Sequence, residues 1–219
     1  MREAQICVSG PGGRPRPGLC GALILVAALL AGCGKPPTLV QKYVWEYPPP
    51  APRASQSLDE GIKVEQFAVA QAFNSTAMVY RPHPYKSESY TYHRWRVNPG
   101  YMATDYLLRD LRQSGLFKAV LPAASADKGR FLVEGGVEEI QEVDEPDAWK
   151  AALALNITLL DLSARETTRR VVFQKSYRAE EPLAEKTPAG LAQGMSRAMA
   201  RLSGEIVTDL YQAARARVK

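Results

Sequence analysis

Ala151-Ala152-Leu153-Ala154-Leu155-Asn156-Ile157-Thr158-Leu159-Leu160-Asp161 is the stretch on which the fold turns. Ala151, Leu153, Leu155, Ile157 and Leu159 alternate strictly with Ala152, Ala154, Asn156 and Thr158. Side chains of a strand point to opposite faces in turn, so one face belongs to a core and the other is small or polar. Upstream, Phe131-Leu132-Val133 through Ile140 and Val143 reads as one long strand. Gly135-Gly136 inside it marks a bulge or a close backbone approach. Downstream, residues 161–168 supply a turn, and Arg170 to Tyr177 returns as a further strand. Together the three strands predict an antiparallel meander.

Two helices flank it. Asn98-Pro99 opens the first, since asparagine suits the N-cap and proline is pre-set for the first helical position. Met102, Tyr106, Leu107 and Leu111 then recur at spacings of three and four, and Gly115 gives the stop. The second runs from Thr187-Pro188 to about Ala214, with Leu191, Met195, Met199, Leu202, Ile206 and Leu210 on one side. Arg215, Arg217 and Lys219 lie where the helix dipole favours positive charge. The methionines of the stripe read as core rather than as a lipid groove.

Earlier strands are shorter. Val40 to Tyr47 is aromatic and β-branched and reads as the first, followed by an extended connector over Pro48-Pro49-Pro50-Ala51-Pro52. Ile62 to Val69 alternates, but its apolar parity shifts between Val64 and Phe67, which a bulge would explain. Met78 to Arg81, Ser89 to Trp95 and Leu116 to Val120 complete the set, the first ended by Pro82 and Pro84. The expected fold class is α+β, a mostly antiparallel sheet with two helices packed on one face.

The amino terminus has a different grammar. Arg2, Arg14 and Arg16 precede an apolar run from Leu19 to Leu30, and small residues lead to Leu30-Ala31-Gly32-Cys33. That is the order of an export signal, and the run is short for a membrane span, which takes about 20 apolar residues. Leu-Ala-Gly-Cys resembles a bacterial lipobox, so Cys33 is the expected lipidation site, with cleavage just before it. The expected organisation is a signal peptide over 1–32, a tether over 33–39 and one domain over 40–219. Two or three acyl chains on one cysteine would hold the body firmly, where a single chain holds only marginally. The tether reaches about 20–25 Å at full stretch. Gly34 follows the cysteine, without the acidic residue that resembles an inner-membrane retention signal. The expected location is therefore the periplasmic face of the outer membrane.

Charge and cysteines narrow the classes. The formal net charge is +5 and the sequence pI about 9.1. Removal of the first segment leaves about +3, spread among acids without a block of like charge. An exported, lipidated protein meets no nucleic acid. Cys7 and Cys20 would leave with the signal and Cys33 would carry lipid, so no disulfide is expected.

No catalytic constellation is found. Gly194-Met195-Ser196-Arg197-Ala198 lacks the second glycine of a nucleophile elbow and lies in a predicted helix. Gly34-Lys35 is followed by proline and makes no phosphate-binding loop. His83 and His93 lack metal-ligand spacing. Neither metal nor other cofactor is called for, and a non-enzymatic role is expected.

Two features remain. Arg94, Trp95 and Arg96, with His93, Tyr90 and Tyr92, form a cationic aromatic group suited to a lipid headgroup or a partner protein. The plainer reading places Trp95 under the following helix with its arginines solvated. Glu138, Glu139, Glu142, Asp144, Glu145 and Asp147 cluster around a strand end, and a solvated loop is the favoured reading over a docking site for a basic partner.

The order of these pieces resembles the ABC-type transport auxiliary lipoprotein family, the lipoprotein companion of MCE-type intermembrane transporters. The resemblance rests on the lipobox, Tyr43–Tyr47, Ile62–Val69, Met78-Val79-Tyr80-Arg81 and Tyr92-His93-Arg94-Trp95. It continues through Asn98-Pro99, Ser114 to Val120, the alanine-rich strand, Val172-Phe173 and the terminal helix. It implies an accessory subunit in phospholipid or hydrophobic-solute transport, with an MCE-type protein and an ABC permease and ATPase as partners. Two alternatives stand beside it: a periplasmic lipid carrier, and an envelope-assembly lipoprotein not tied to an ABC transporter.

Overall fold

The computed structural model of the protein describes residues 38–51 and 57–218. The apolar run, the Leu30–Cys33 motif, Pro52 of the connector and Lys219 lie outside the described residues. Leu39–Lys219 form one compact unit. In chain order its elements are β1 (Gln41–Tyr43), β2 (Leu58–Val64), β3 (Ala68–Val69), a 3-10 turn (Gln71–Phe73), β4 (Ala77–His83) and β5 (Lys86–Trp95). There follow α1 (Pro99–Ser114), β6 (Phe117–Pro122), β7 (Phe131–Glu145), β8 (Ala148–Asp161), α2 (Thr167–Arg170), β9 (Val171–Pro182) and α3 (Pro188–Val218).

β7 is the spine of a single sheet. One of its edges pairs along its whole length with β8, antiparallel from Phe131↔Asp161 to Glu145↔Ala148. Its other edge takes three short strands in succession, all parallel. These are β2 at Phe131–Val133, β3 at Gly136–Val137 and β4 at Glu142–Val143. β6 extends the sheet beyond β2, and β5 then β1 extend it beyond β4. The meander β7-β8-β9 is antiparallel as expected.

The rest of the expectation needs correction. The sheet is mixed and curled, with five parallel pairings against three antiparallel ones, and it is not mostly antiparallel. Only hairpin neighbours must run antiparallel. β1, β2, β3 and β4 instead find partners far along the chain, and alternation records a strand's buried face but not its neighbour. Among the described residues there are three helices rather than two, the third being the four-residue α2 in the β8–β9 connection.

Local rules account for the elements themselves. The Asn98 side chain accepts from Gly100 N at 2.9 Å, Pro99 starts α1, and Gly115 ends it in the left-handed region at φ 64°. Leu191, Met195, Met199, Leu202, Ile206 and Leu210 are all fully buried along α3, so the methionines are core. The parity shift in 64–67 has a clear origin. From Val64 to Ala68 the chain takes four steps while its partner β7 takes three, from Val133 to Gly136. The extra residue is a bulge, and it splits the expected strand into β2 and β3. The first strand is also shorter than expected, with only Gln41–Tyr43 in the ladder.

Both long helices lie on one face. α1 packs on β6 and β7, α3 packs on β8 and β9, and the two touch each other. Between helices and sheet sit Trp45, Trp95, Met78, Phe131, Leu153, Leu155, Ile157 and Leu159, each no more than 1% exposed. Among the described residues no helix is long and apolar enough to cross a membrane.

Candidate functional site

The edge of the sheet at β1 is where the chain enters from its amino-terminal segment. β1 runs parallel to β5, with Gln41 beside His93, Lys42 beside Arg94 and Tyr43 beside Trp95. Arg96 N continues the ladder by donating to Tyr43 O at 2.7 Å. Alternation sends Tyr43, His93 and Trp95 inward. The Tyr43 hydroxyl lies 3.0 Å from His93 Nδ1, and Trp95 meets Trp45 edge-on at 6.3 Å between centroids.

This arrangement divides the three residues singled out as a contact group. Trp95 is 1% exposed and belongs to the core against Trp45, so it is no part of a contact surface. Arg94 is half-buried, and its Nη1 donates to the carbonyls of Tyr90 and His93. Arg96 is exposed. The group narrows to the two arginines, joined by exposed Lys42. Cys33 lies outside the described residues.

A polar clamp, illegible in the sequence, fixes the segment that follows β1. Asp110 of α1 is 1% exposed. Its Oδ2 accepts from the Tyr47 hydroxyl at 2.7 Å and from the Ser203 hydroxyl of α3 at 2.6 Å, and its Oδ1 from Arg109 Nε at 2.8 Å. The Arg109 guanidinium also donates to Tyr47 O at 3.0 Å and lies over the Tyr47 and Tyr106 rings, which stack at 5.0 Å. The Tyr106 hydroxyl donates to Trp45 O, and Glu46 N donates to Ser196 Oγ at 2.9 Å. Burial first, then the Asp110 carboxylate, hold the Tyr47 phenol well above its ordinary range, so it stays a donor. Trp45–Tyr47 is thereby fastened to both long helices at once. Beside it an open groove of about 620 Å³ runs between Val44–Pro48 and the small residues Ala189, Ala192 and Ala200 of α3.

The acidic cluster divides: Glu138, Glu145 and Asp147 are exposed, as a solvated loop requires, and Glu142 is not. Glu142 is fully buried, against the expected solvated loop. The β4 strand covers it, Tyr80 lying beside it in register, and the Tyr90 hydroxyl of β5 donates to its Oε2 at 3.0 Å. Its Oε1, and Oδ1 of Asp144 on the same face of β7, are buried without a hydrogen-bond donor. Asp144 Oδ2 takes the Lys186 ammonium. Burial pushes the Glu142 carboxyl up to about 7, with Asp144 adding to the rise and the Tyr90 hydroxyl and Lys186 opposing it.

The stability consequence has a definite sign. Between the ordinary carboxyl range and about pH 7 the folded state binds a proton that the unfolded chain does not. Stability from this group is therefore present at lower pH and lost as pH rises through about 7. Glu142→Gln keeps the shape and the Tyr90 bond without the charge. It is expected to stabilise the protein by about 2–3 kcal/mol at pH 8 and to leave it unchanged near pH 4. Thermal melts of both proteins across pH 4–8 check this, and an equal pH slope in wild type and variant would count against it.

Among the described residues no three His, Cys, Asp or Glu side chains gather as metal ligands. His83 is exposed at the end of β4, while His93 is turned to Tyr43. Around Asp110 the polar groups engage one another and fasten the segment that follows β1.

Comparison with known proteins agrees with the fold. No curated protein matches the chain. The crystal structure of a Xanthomonas campestris protein of the DUF330 family superposes with a TM-score of 0.72 at 18% identity, covering 82% of this chain and 99% of that one. An uncharacterized protein superposes at 0.59 with 13% identity, covering 78% and 99%. A hypothetical protein from Chlamydia trachomatis superposes at 0.52, also with 13% identity, covering 73% and 99%. At these identities the likeness establishes a shared fold. The family model of the ABC-type transport auxiliary lipoprotein component matches residues 43–207, from the last residue of β1 to deep within α3, and the chain belongs to that family of auxiliary lipoproteins of ABC-type transport systems.

Proposed function

We propose that the protein is a non-enzymatic subunit held by lipid on Cys33 at the periplasmic face of the outer membrane. There it serves an MCE-type intermembrane transporter, with its ABC permease and ATPase, that moves phospholipid or another hydrophobic solute. The observation that carries the reading is the clamp. The segment arriving from Cys33 enters β1 within eight residues and is fixed to both helices at Trp45–Tyr47. Force or position imposed at the anchor therefore reaches the whole body, which suits a docking subunit. The lipid-carrier alternative has less support, because the space between helices and sheet is occupied by side chains such as Met195, Met199 and Leu155, all fully buried.

Affinity purification from membranes solubilised in mild detergent tests it. The expected result is recovery of an MCE-type protein, and deletion is expected to impair lipid transport. Clean separation from any MCE protein, together with normal transport in the deletion strain, would overturn the reading.

A further inference from the structure

The geometry points to the outer face of the β1–β5 edge as a surface that lies on an anionic lipid bilayer, the membrane that holds the anchor. The inference rests on the proposed lipidation of Cys33 and adds which side of the body faces the lipid.

The register sets the surface. Lys42 is beside Arg94, and Val40 and Tyr92 each come two residues before that pair. Arg96 lies two residues beyond Arg94, on the side opposite buried Trp95. Val40 is 50% exposed and Tyr92 48%, so an apolar pair and three cations share one face. An aromatic with a polar tip beside basic residues is the composition that settles at a headgroup boundary.

The charges are unspent. Among the described residues none of Lys42, Arg94 and Arg96 forms an ion pair. Elsewhere cations are matched, as in Lys63–Glu65, Lys118–Asp59, Arg130–Asp161, Lys175–Asp209 and Arg178–Glu139. Across residues 38–51 and 89–98 the single acid is Glu46. Anionic headgroups attract such cations within a Debye length, about 8–10 Å at physiological salt.

The chain outside the described residues supplies the placement. Thr38 is only five positions after Cys33, and Leu39 at the entry to β1 is 80% exposed. The sheet order puts β1 at one end of the strand path and β6 at the other. A short tether from the bilayer therefore delivers the β1 edge first.

The test uses the full-length protein, matured in its host. Cys33 would be acylated and Cys7 and Cys20 removed, so Tyr92→Cys offers one free thiol for an environment-sensitive dye. Asp127→Cys, exposed in the loop after β6, gives a control position. The labelled proteins are reconstituted into vesicles of phosphatidylcholine alone or of roughly 3:1 phosphatidylcholine to phosphatidylglycerol. The expected result is that the dye at 92 is shielded from aqueous iodide at least about five-fold on the anionic vesicles only. The dye at 127 stays open on both. Lys42→Glu with Arg96→Glu, both exposed positions that leave Arg94 intact, is expected to remove the shielding while the protein still floats with the vesicles. A dye at 92 that stays open on anionic vesicles while the protein floats with them would overturn the surface and leave the anchor standing. Shielding that follows protein density on neutral vesicles would assign the face to a second copy and overturn it equally. A chain that floats with neither vesicle overturns the anchor and this surface together.

Discussion

Asp110→Ala is expected to lower the melting temperature by about 10 °C. The side chain is 1% exposed and serves three donors from three parts of the chain: Tyr47, Arg109 and Ser203. Its removal leaves the buried Ser203 hydroxyl and the half-buried Tyr47 hydroxyl without their acceptor, and a guanidinium without its counter-charge. Breaking a buried charged network in this way costs about 3–5 kcal/mol, more than the bonds themselves are worth, because the remaining groups stay desolvated. At about 2–4 °C per kcal/mol for a domain of this size, the fall is large. Asp110→Asn keeps an acceptor and is expected to lose about half as much. The damage should also be local. Hydrogen exchange is expected to rise first in 43–47, since Tyr47 is the strap's main fastening. A loss below about 1 kcal/mol would show that Tyr47 and Ser203 find other partners and that the clamp is not what holds the segment.

Gly135→Val is expected to cost about 3 kcal/mol. A Cβ on Gly135 would lie 2.6 Å from the Phe67 ring, inside contact distance. Phe67 is 3% exposed, lies in the bulge between β2 and β3, and its N–H is held by Thr104 Oγ1 of α1 at 2.9 Å. The buried ring must shift, and the strain passes to the bulge and to the α1 contact. A double-mutant cycle with Phe67→Leu checks the cause. Loss of the ring should recover most of the cost of Gly135→Val, giving a coupling above about 1 kcal/mol, whereas additive losses would assign the cost to strand propensity.

What could be read in the sequence and what could not differ in kind. Asn98, Pro99 and Gly115 bound α1 through groups a few residues apart, and the structure keeps those bounds. The apolar stripe of α3 is likewise a local periodicity, and the parity shift before Phe67 is a local signature of one extra residue against β7. Pairing direction is not local. β2 and β7 meet with Ile62 beside Phe131 and Val64 beside Val133, and neither stretch carries a mark of the other. Asp110 reads as an ordinary polar position on an amphipathic helix, because the reasons for its burial sit at 47 and 203. Glu142 follows the same logic, since Tyr90 and the covering β4 strand make a buried site out of an apparently solvated run. Trp95 was legible as a core residue from its bulk, while the arginines on either side kept their surface.

The account hangs on one sulfur atom. The intact mass of the protein extracted from membranes in detergent tests it most directly. The predicted species begins at Cys33 and carries two or three acyl chains. A chain that keeps residues 1–32, or one with a free thiol at Cys33, would contradict it.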